Sequence, residues 1–156
     1  MKLLITFEMK EKYIKMIKKQ YPELKIVHSD DLKEQKKEVV DADIMISGGE
    51  ARIELLNSAQ HLKWIQAWSA GVEGYMKEDV VSMLKEKDIK LSSMSGIHGN
   101  PIAEHVIGFI INFSHRFYDF YNLQKESRWE KIMPHQLAGK TMAVIGTGSI
   151  GREIAR

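Results

Sequence analysis

A doubly wound parallel α/β sheet is the fold class this sequence predicts, on three observations. Short β-rich runs recur along the chain, helix-forming stretches separate them, and the last run opens directly into a glycine-rich turn. Strands that alternate with helices are joined by crossovers, and crossovers produce parallel pairing. The six runs are Leu3 to Phe7, Leu24 to His28, Ile44 to Ser47, Leu62 to Trp68, Ile89 to Met94 and Thr141 to Gly146.

Between the first two runs, Tyr13, Ile14, Ile17 and Tyr21 recur at helical spacing while Lys10, Lys12, Lys15, Lys18 and Lys19 fall on the other side. That is the pattern of a surface crossover helix. Asp30 and Asp31 precede a helical stretch from Leu32 to Val40, so they read as helix-start residues rather than as a catalytic acid pair. The lysine runs are interleaved with Glu11, Glu34 and Glu38, as on a solvated face.

Parallel sheets bind ligands outside the carboxyl ends of their strands, which singles out the turns there. Gly48-Gly49-Glu50 follows the third run and Ser69-Ala70-Gly71-Val72-Glu73 follows the fourth. Small residues in such turns expose backbone N–H groups to a carboxylate, which makes Gly48, Gly49, Ala70, Gly71 and Val72 candidate substrate contacts; plain tight turns are the alternative. His98, in the loop after the fifth run, is a candidate contact on the same edge, with a surface or structural histidine as its alternative. Beyond Gly96-Ile97-His98-Gly99-Asn100-Pro101, the stretch from Ile102 to about Glu126 predicts one long helix, with Pro101 in its first turn and Asn100 as N-cap. Val106, Ile107, Phe109, Ile110, Ile111 and Phe113 are apolar nearly all round, which calls for burial on more than one side. A domain boundary is expected in this loop, separating 1–99 from 100–156.

The densest chemical signal is Gly146-Thr147-Gly148-Ser149-Ile150-Gly151, a GxGxxG between a β-type run and a helix-forming one. A pyrophosphate needs close backbone approach and free N–H groups, and glycines at these spacings permit the turn, the approach and the helix-to-strand contact. A glycine-rich turn that binds nothing is the competing reading. The acidic residue expected about 20 positions later, which would hold the adenosine ribose, falls beyond Arg156. Gly139-Lys140-Thr141 is no P-loop: Pro134 stands where the first glycine belongs, and the motif precedes a β run instead of following one. Glu104-His105 lacks a second histidine at metalloprotease spacing, and no serine lies in a G-x-S-x-G elbow.

Composition narrows the class further. The 156 residues are 44% hydrophobic and 28% charged, with a formal net charge of +2 and no cysteine. Such a charge indicates neither nucleic acid nor an anionic membrane, although the isoelectric point near 8.7 is basic. Without cysteine there is no disulfide frame, thiolate nucleophile or Cys-ligated zinc, and no metal site is expected. The longest uncharged apolar stretch, Val106 to Ser114, falls short of the roughly 20 residues that span a bilayer, and the N-terminus turns charged too soon for a signal peptide. A cytoplasmic protein is expected.

Three motifs in order, Ser69 to Glu73, Gly96 through Pro101-Ile102-Ala103-Glu104-His105 to Val106, and Leu137-Ala138-Gly139-Lys140-Thr141 leading into Gly146 to Gly151, resemble the D-isomer-specific 2-hydroxyacid dehydrogenases, phosphoglycerate dehydrogenase among them. The resemblance covers the whole chain and the first half of such an enzyme. It implies a flavodoxin-like substrate domain, a long linking helix and the first βα unit of a Rossmann domain. It further implies that Ala70 to Val72 hold a substrate carboxylate, that the loop from His98 to Ile102 faces the nicotinamide, and that Gly146 to Gly151 bind the pyrophosphate of NAD or NADP. The substrate implied is a small 2-oxo or 2-hydroxy acid, and the assembly a homodimer. The family's catalytic Arg, Glu and His come later than Arg156, and His105 belongs to the Ala-Glu-His motif rather than to that set. The 156 residues alone are therefore expected to be inactive. A dehydrogenase-like nucleotide sensor or corepressor is the alternative.

Overall fold

A computed structural model describes residues 1–156, which separate into two compact units, Met1–Ser95 and Gly96–Arg156. In the first, β1 (Lys2–Ile5), β2 (Lys25–His28), β3 (Ile44–Ser47), β4 (Trp64–Ala67) and β5 (Lys90–Ser92) form one sheet in the order β2-β1-β3-β4-β5. Every pairing is parallel. This is the flavodoxin order, with a switch point between β1 and β3 where the winding reverses.

The alternation of apolar residues along the strands sets the two faces. Leu4, Met45 and Ile65 point to one side and pack with Val39, Leu55, Leu56, Val80 and Leu84. Those residues come from α3 (Ile53–Ser58), α4 (Glu78–Glu86) and the C-cap of α2 (Leu32–Glu38), which is Val39. Leu3 and Ile5 point to the other side, against Ile14 and Ile17 of α1 (Glu11–Gln20). Each fully buried aliphatic side chain contributes about 1.5–3 kcal/mol. Asp31 caps α2, its carboxylate accepting from the N–H groups of Lys33 at 3.2 Å and Glu34 at 3.3 Å. Of the two adjacent aspartates, Asp31 thus has the helix-start role.

The amino edge of the sheet is closed by Lys2, whose buried ammonium meets Glu38 at 2.8 Å and also Asp41. Burial by itself would push this ammonium down, but hydrogen bonds to Asp41 and Glu38 outweigh it and hold Lys2 above its ordinary value. Asp41 is held below the usual carboxylate range by the same hydrogen bond. A polar anchor thus sits at the edge away from the strand carboxyl ends.

In the second unit the sequence expectations need three corrections. The long helix is two, α5 (Gly99–His115) and α6 (Phe117–Lys125), divided where Arg116 takes the left-handed conformation at φ 57°. Helical periodicity continues across the break, so one residue's backbone angle is invisible to pattern. Helix α5 also begins earlier than expected: His98 occupies the N-cap position, and Asn100 lies inside the first turn. Pro101 permits this, because the first N–H groups of a helix lack partners in any case. Finally, Thr141 to Gly146 forms no ladder with another strand. A β run needs neighbours for its N–H and C=O groups, and this unit supplies none. The unit closes with α7 (Ser149–Ala155), which packs on α5. Ile107, Phe109, Ile111 and Phe113 of α5 remain exposed, so the burial their pattern calls for is not met within the chain. No helix is long and apolar enough to cross a membrane.

Candidate substrate and cofactor site

The carboxyl edge of the first unit is tied together by side chains from several elements. Gln35 of α2, fully buried, donates from Nε2 to the carbonyls of Ser29 at 2.7 Å and Thr6 at 3.2 Å. Its Oε1 accepts from Arg52 Nη1 at 2.6 Å. Thr6 Oγ1 donates to Ser47 Oγ at 3.1 Å, which links the ends of β1 and β3. One amide with all its partners inside thereby holds the loops after β1, β2 and β3 in fixed relation.

The two turns singled out in the sequence lie against each other here. A Cβ at Gly49 would stand 2.7 Å from Ser69 Oγ and 3.3 Å from the Gly71 carbonyl, so only glycine lets the turn after β3 approach the turn after β4 this closely. Ser69 Oγ donates to Gly71 O at 2.6 Å and shapes the second turn from within. Trp68 N–H donates to Ser47 O at 2.7 Å, and Met94 N–H to Ser69 O at 3.0 Å, so the second turn is suspended between its neighbours on both sides. Within the turn the N–H groups of Ala70, Gly71 and Val72 find no acceptor in the chain. Three unengaged donors on a short, half-exposed turn are the kind of group that a carboxylate accepts from.

Below these turns stands Tyr75, in a 3-10 turn at Glu73–Tyr75, fully buried with its hydroxyl donating to Gly48 O at 3.2 Å. Burial pushes the phenol up, with Ser47 and Arg52 pulling the other way, so it stays a neutral donor. Gly74 admits this arrangement, since a Cβ there would lie 2.6 Å from the Glu50 Cα. Neither Tyr75 nor Gln35 stood out in the sequence. A tyrosine two residues past a small-residue turn and a glutamine inside a charged helix carry no periodic signal; burial alone gives them their roles.

The glycine motif of the second unit has a division of labour. Gly146 has φ 102°, a region L side chains rarely enter. A Cβ on Gly151 would strike the Gly146 carbonyl oxygen, which is the helix-to-turn contact that the third glycine exists to allow. At Gly148 a Cβ would meet nothing within 4 Å, so the middle of the turn is bare backbone open to a ligand. Thr147, Ser149 and Ile150 complete the turn, and Ser149 opens α7. These features fit a dinucleotide pyrophosphate. The start of α5 packs on this same helix: a Cβ at Gly99 would lie 3.0 Å from Glu153 Cγ and 3.5 Å from Ser149 O. His98 and Ile102 therefore belong to the unit of the glycine turn, with the His98 carbonyl accepting from Ile102 N–H at 3.2 Å. The His98 side chain is exposed.

Residues 107–156 match the NAD binding domain of the D-isomer specific 2-hydroxyacid dehydrogenases. A hydroxypyruvate reductase of Thermotoga maritima is 28% identical over 119 residues, 75% of this chain and 38% of that protein. A D-3-phosphoglycerate dehydrogenase of Archaeoglobus fulgidus is 25% identical over 160 residues, all of this chain and 30% of that protein. The crystal structure of a D-isomer specific 2-hydroxyacid dehydrogenase family protein from Aeromonas salmonicida superposes with a TM-score of 0.86 at 27% identity, over 99% of this chain and 48% of that one. The chain thus spans between about a third and a half of the length of the proteins it matches. With a flavodoxin-order sheet, an open glycine turn and agreement along its whole length, the chain is similar to the D-isomer-specific 2-hydroxyacid dehydrogenases, an oxidoreductase family whose NAD binding domain its residues 107–156 match.

Proposed function

We propose that this chain supplies the substrate domain, residues 1–99, and the linking helix with the opening of the nucleotide domain, residues 100–156, of an enzyme that interconverts small D-2-hydroxy acids and 2-oxo acids. The observation that supports this most is the turn at Ala70, Gly71 and Val72, whose unengaged N–H groups lie beside the Gly48-Gly49 turn at the carboxyl edge of a parallel sheet. NAD or NADP, bound through Gly146 to Gly151, supplies the acceptor or donor of the hydride exchanged with the 2-carbon. The chain's own residues bind and orient: the backbone of Ala70 to Val72 holds the carboxylate, Gly48 and Gly49 leave room beside it, and His98 and Ile102 line the nucleotide side. Holding the acid by its carboxylate restricts which face of the 2-carbon reaches the nicotinamide, so stereochemistry follows from geometry. The residues that exchange the hydroxyl proton are not among those described. We further propose that the 156 residues alone do not turn over, since losing general acid-base catalysis costs about 10²- to 10⁴-fold and losing orientation more.

In a holoenzyme containing this chain, chiral analysis of the product formed from pyruvate and NADH or NADPH should give D-lactate. An L-product would sink this reading. On the 156-residue chain, titration with pyruvate followed by amide NMR should shift the resonances of Ala70, Gly71 and Val72, and NADH oxidation should stay at the uncatalysed rate.

A further inference from the structure

The pairing of Ile5 with Ile46 and of Ile46 with Gln66 puts these three residues in one row across β1, β3 and β4. Two residues further along each strand, past the carboxyl edge, the next row is Phe7, Gly48 and Trp68, on the face where Leu3 and Ile5 pack. Hydrogen bonds from Thr6 N–H to Ile46 O at 2.9 Å and from Trp68 N–H to Ser47 O at 2.7 Å carry the register past the strand ends. The row is large, empty, large. The two large rings meet each other, with centroids 5.5 Å apart and planes tilted by 50°. They leave the space at Gly48 unfilled, for a Cβ there would meet nothing within 4 Å. Trp68 keeps 51% of its surface exposed, a large cost for an indole that served packing alone. It stands two residues before Ala70, at the entry to the carboxylate turn.

Charge on the same edge completes the picture. Its loops carry Glu8, Asp30, Asp31, Glu50 and Glu73 against Lys10, Arg52 and Lys77, and Arg52 is engaged by Gln35. A second anionic group on the substrate, such as a phosphate, would find carboxylates here rather than the guanidinium forks that recognise it.

We infer that Phe7, Gly48 and Trp68 form the side-chain subsite of the acid, selecting 2-oxo acids with an apolar branched substituent over pyruvate and over phosphorylated acids. This rests on the carboxylate reading of Ala70 to Val72. Burying about half of three extra carbons in the slot is expected to tighten binding about tenfold.

The test is an NMR titration of the full 156-residue chain, reading the Trp68 indole N–H and the amides of Ala70 to Val72 together. Pyruvate, 4-methyl-2-oxopentanoate and 3-phosphohydroxypyruvate are the probes, with the indole assigned through Trp64→Phe and Trp129→Phe. The expected result is a shift of the Trp68 indole with 4-methyl-2-oxopentanoate, affinity about tenfold above pyruvate, and the phosphorylated acid weakest. Gly48→Val, whose Cβ would meet nothing within 4 Å, should abolish the tenfold preference. If the amides of Ala70 to Val72 shift while the three acids bind alike, or the phosphorylated acid binds best, the subsite is refuted and the carboxylate turn stands. If no acid moves those amides, the carboxylate reading falls and the subsite with it.

Discussion

Glycines in the two turns of the first unit differ in what opposes a side chain, and their substitutions separate accordingly. A Cβ on Gly71 would first meet the carboxylate end of Glu73, which can swing away, whereas a Cβ on Gly74 meets the backbone of Glu50 at 2.6 Å and of Gly49 at 2.7 Å. Gly71→Ala should therefore change stability by less than about 1 kcal/mol, while Gly74→Ala should cost about 1–3 kcal/mol through overpacking. Urea unfolding midpoints of the two variants measure this; equal losses would show that the chain at Gly71 is as tightly held as at Gly74. The ranking was not legible in the sequence, where both glycines stand in one short small-residue stretch. Gly71 drew notice there for its position after a β run, and Gly74 drew none, because its partner Glu50 is remote along the chain.

At the level of elements, the end of α4 shows how a local rule can be broken and still be readable from geometry. Asp88 N–H donates to Lys85 O at 3.2 Å and Ile89 N–H to Leu84 O at 2.8 Å, the paired bonds of a Schellman ending, with Ile89 and Leu84 both buried. Such an ending puts the residue after the C-cap in the left-handed region, and Asp88 has φ 51° where glycine is at ease. Asp88→Gly is expected to stabilise the chain by about 0.5–1 kcal/mol, seen as a rise in thermal midpoint. A fall would mean that the aspartate side chain contributes something the backbone account omits. The same left-handed angle at Arg116, followed by another helix, is what divides α5 from α6. There the sequence carried apolar residues straight through, so its periodicity could announce helix but not the turn within it. The run from Thr141 to Gly146 fails for the opposite reason: its residue types suit a strand, but a strand exists only with a neighbour.

For the whole molecule, the surface of the second unit is the feature with consequences. Ile107, Phe109, Phe113, Phe117, Tyr121 and Trp129 are all exposed, Phe113 at 76% and Trp129 at 99%. So much aromatic surface on α5, α6 and the segment after them favours self-association, and a second copy of this chain is the partner proposed, in line with the homodimer that the family resemblance implies. Size-exclusion chromatography with light scattering in the micromolar range should give at least a dimer, and Phe113→Glu should shift it toward monomer. A wild-type monomer across that range would end the proposal.

What the sequence by itself determined is the alternation of strand and helix in the first unit, the cap at Asp31, the glycine turn from Gly146 to Gly151 and, through three ordered motifs, the family resemblance. All of these depend on neighbours in the chain or on fixed spacings, which pattern records directly. Only the tertiary structure decided which turns touch. That Gly49 lies against Ser69, that Tyr75 and Gln35 brace the edge from beneath, and that the rings of Phe7 and Trp68 meet all depend on strands brought together in the order β2-β1-β3-β4-β5. Apart from the bond between Gln35 and Ser29, such contacts join residues about 20 to 60 positions apart, and burial assigns their roles, so no local property of either partner announces the pair.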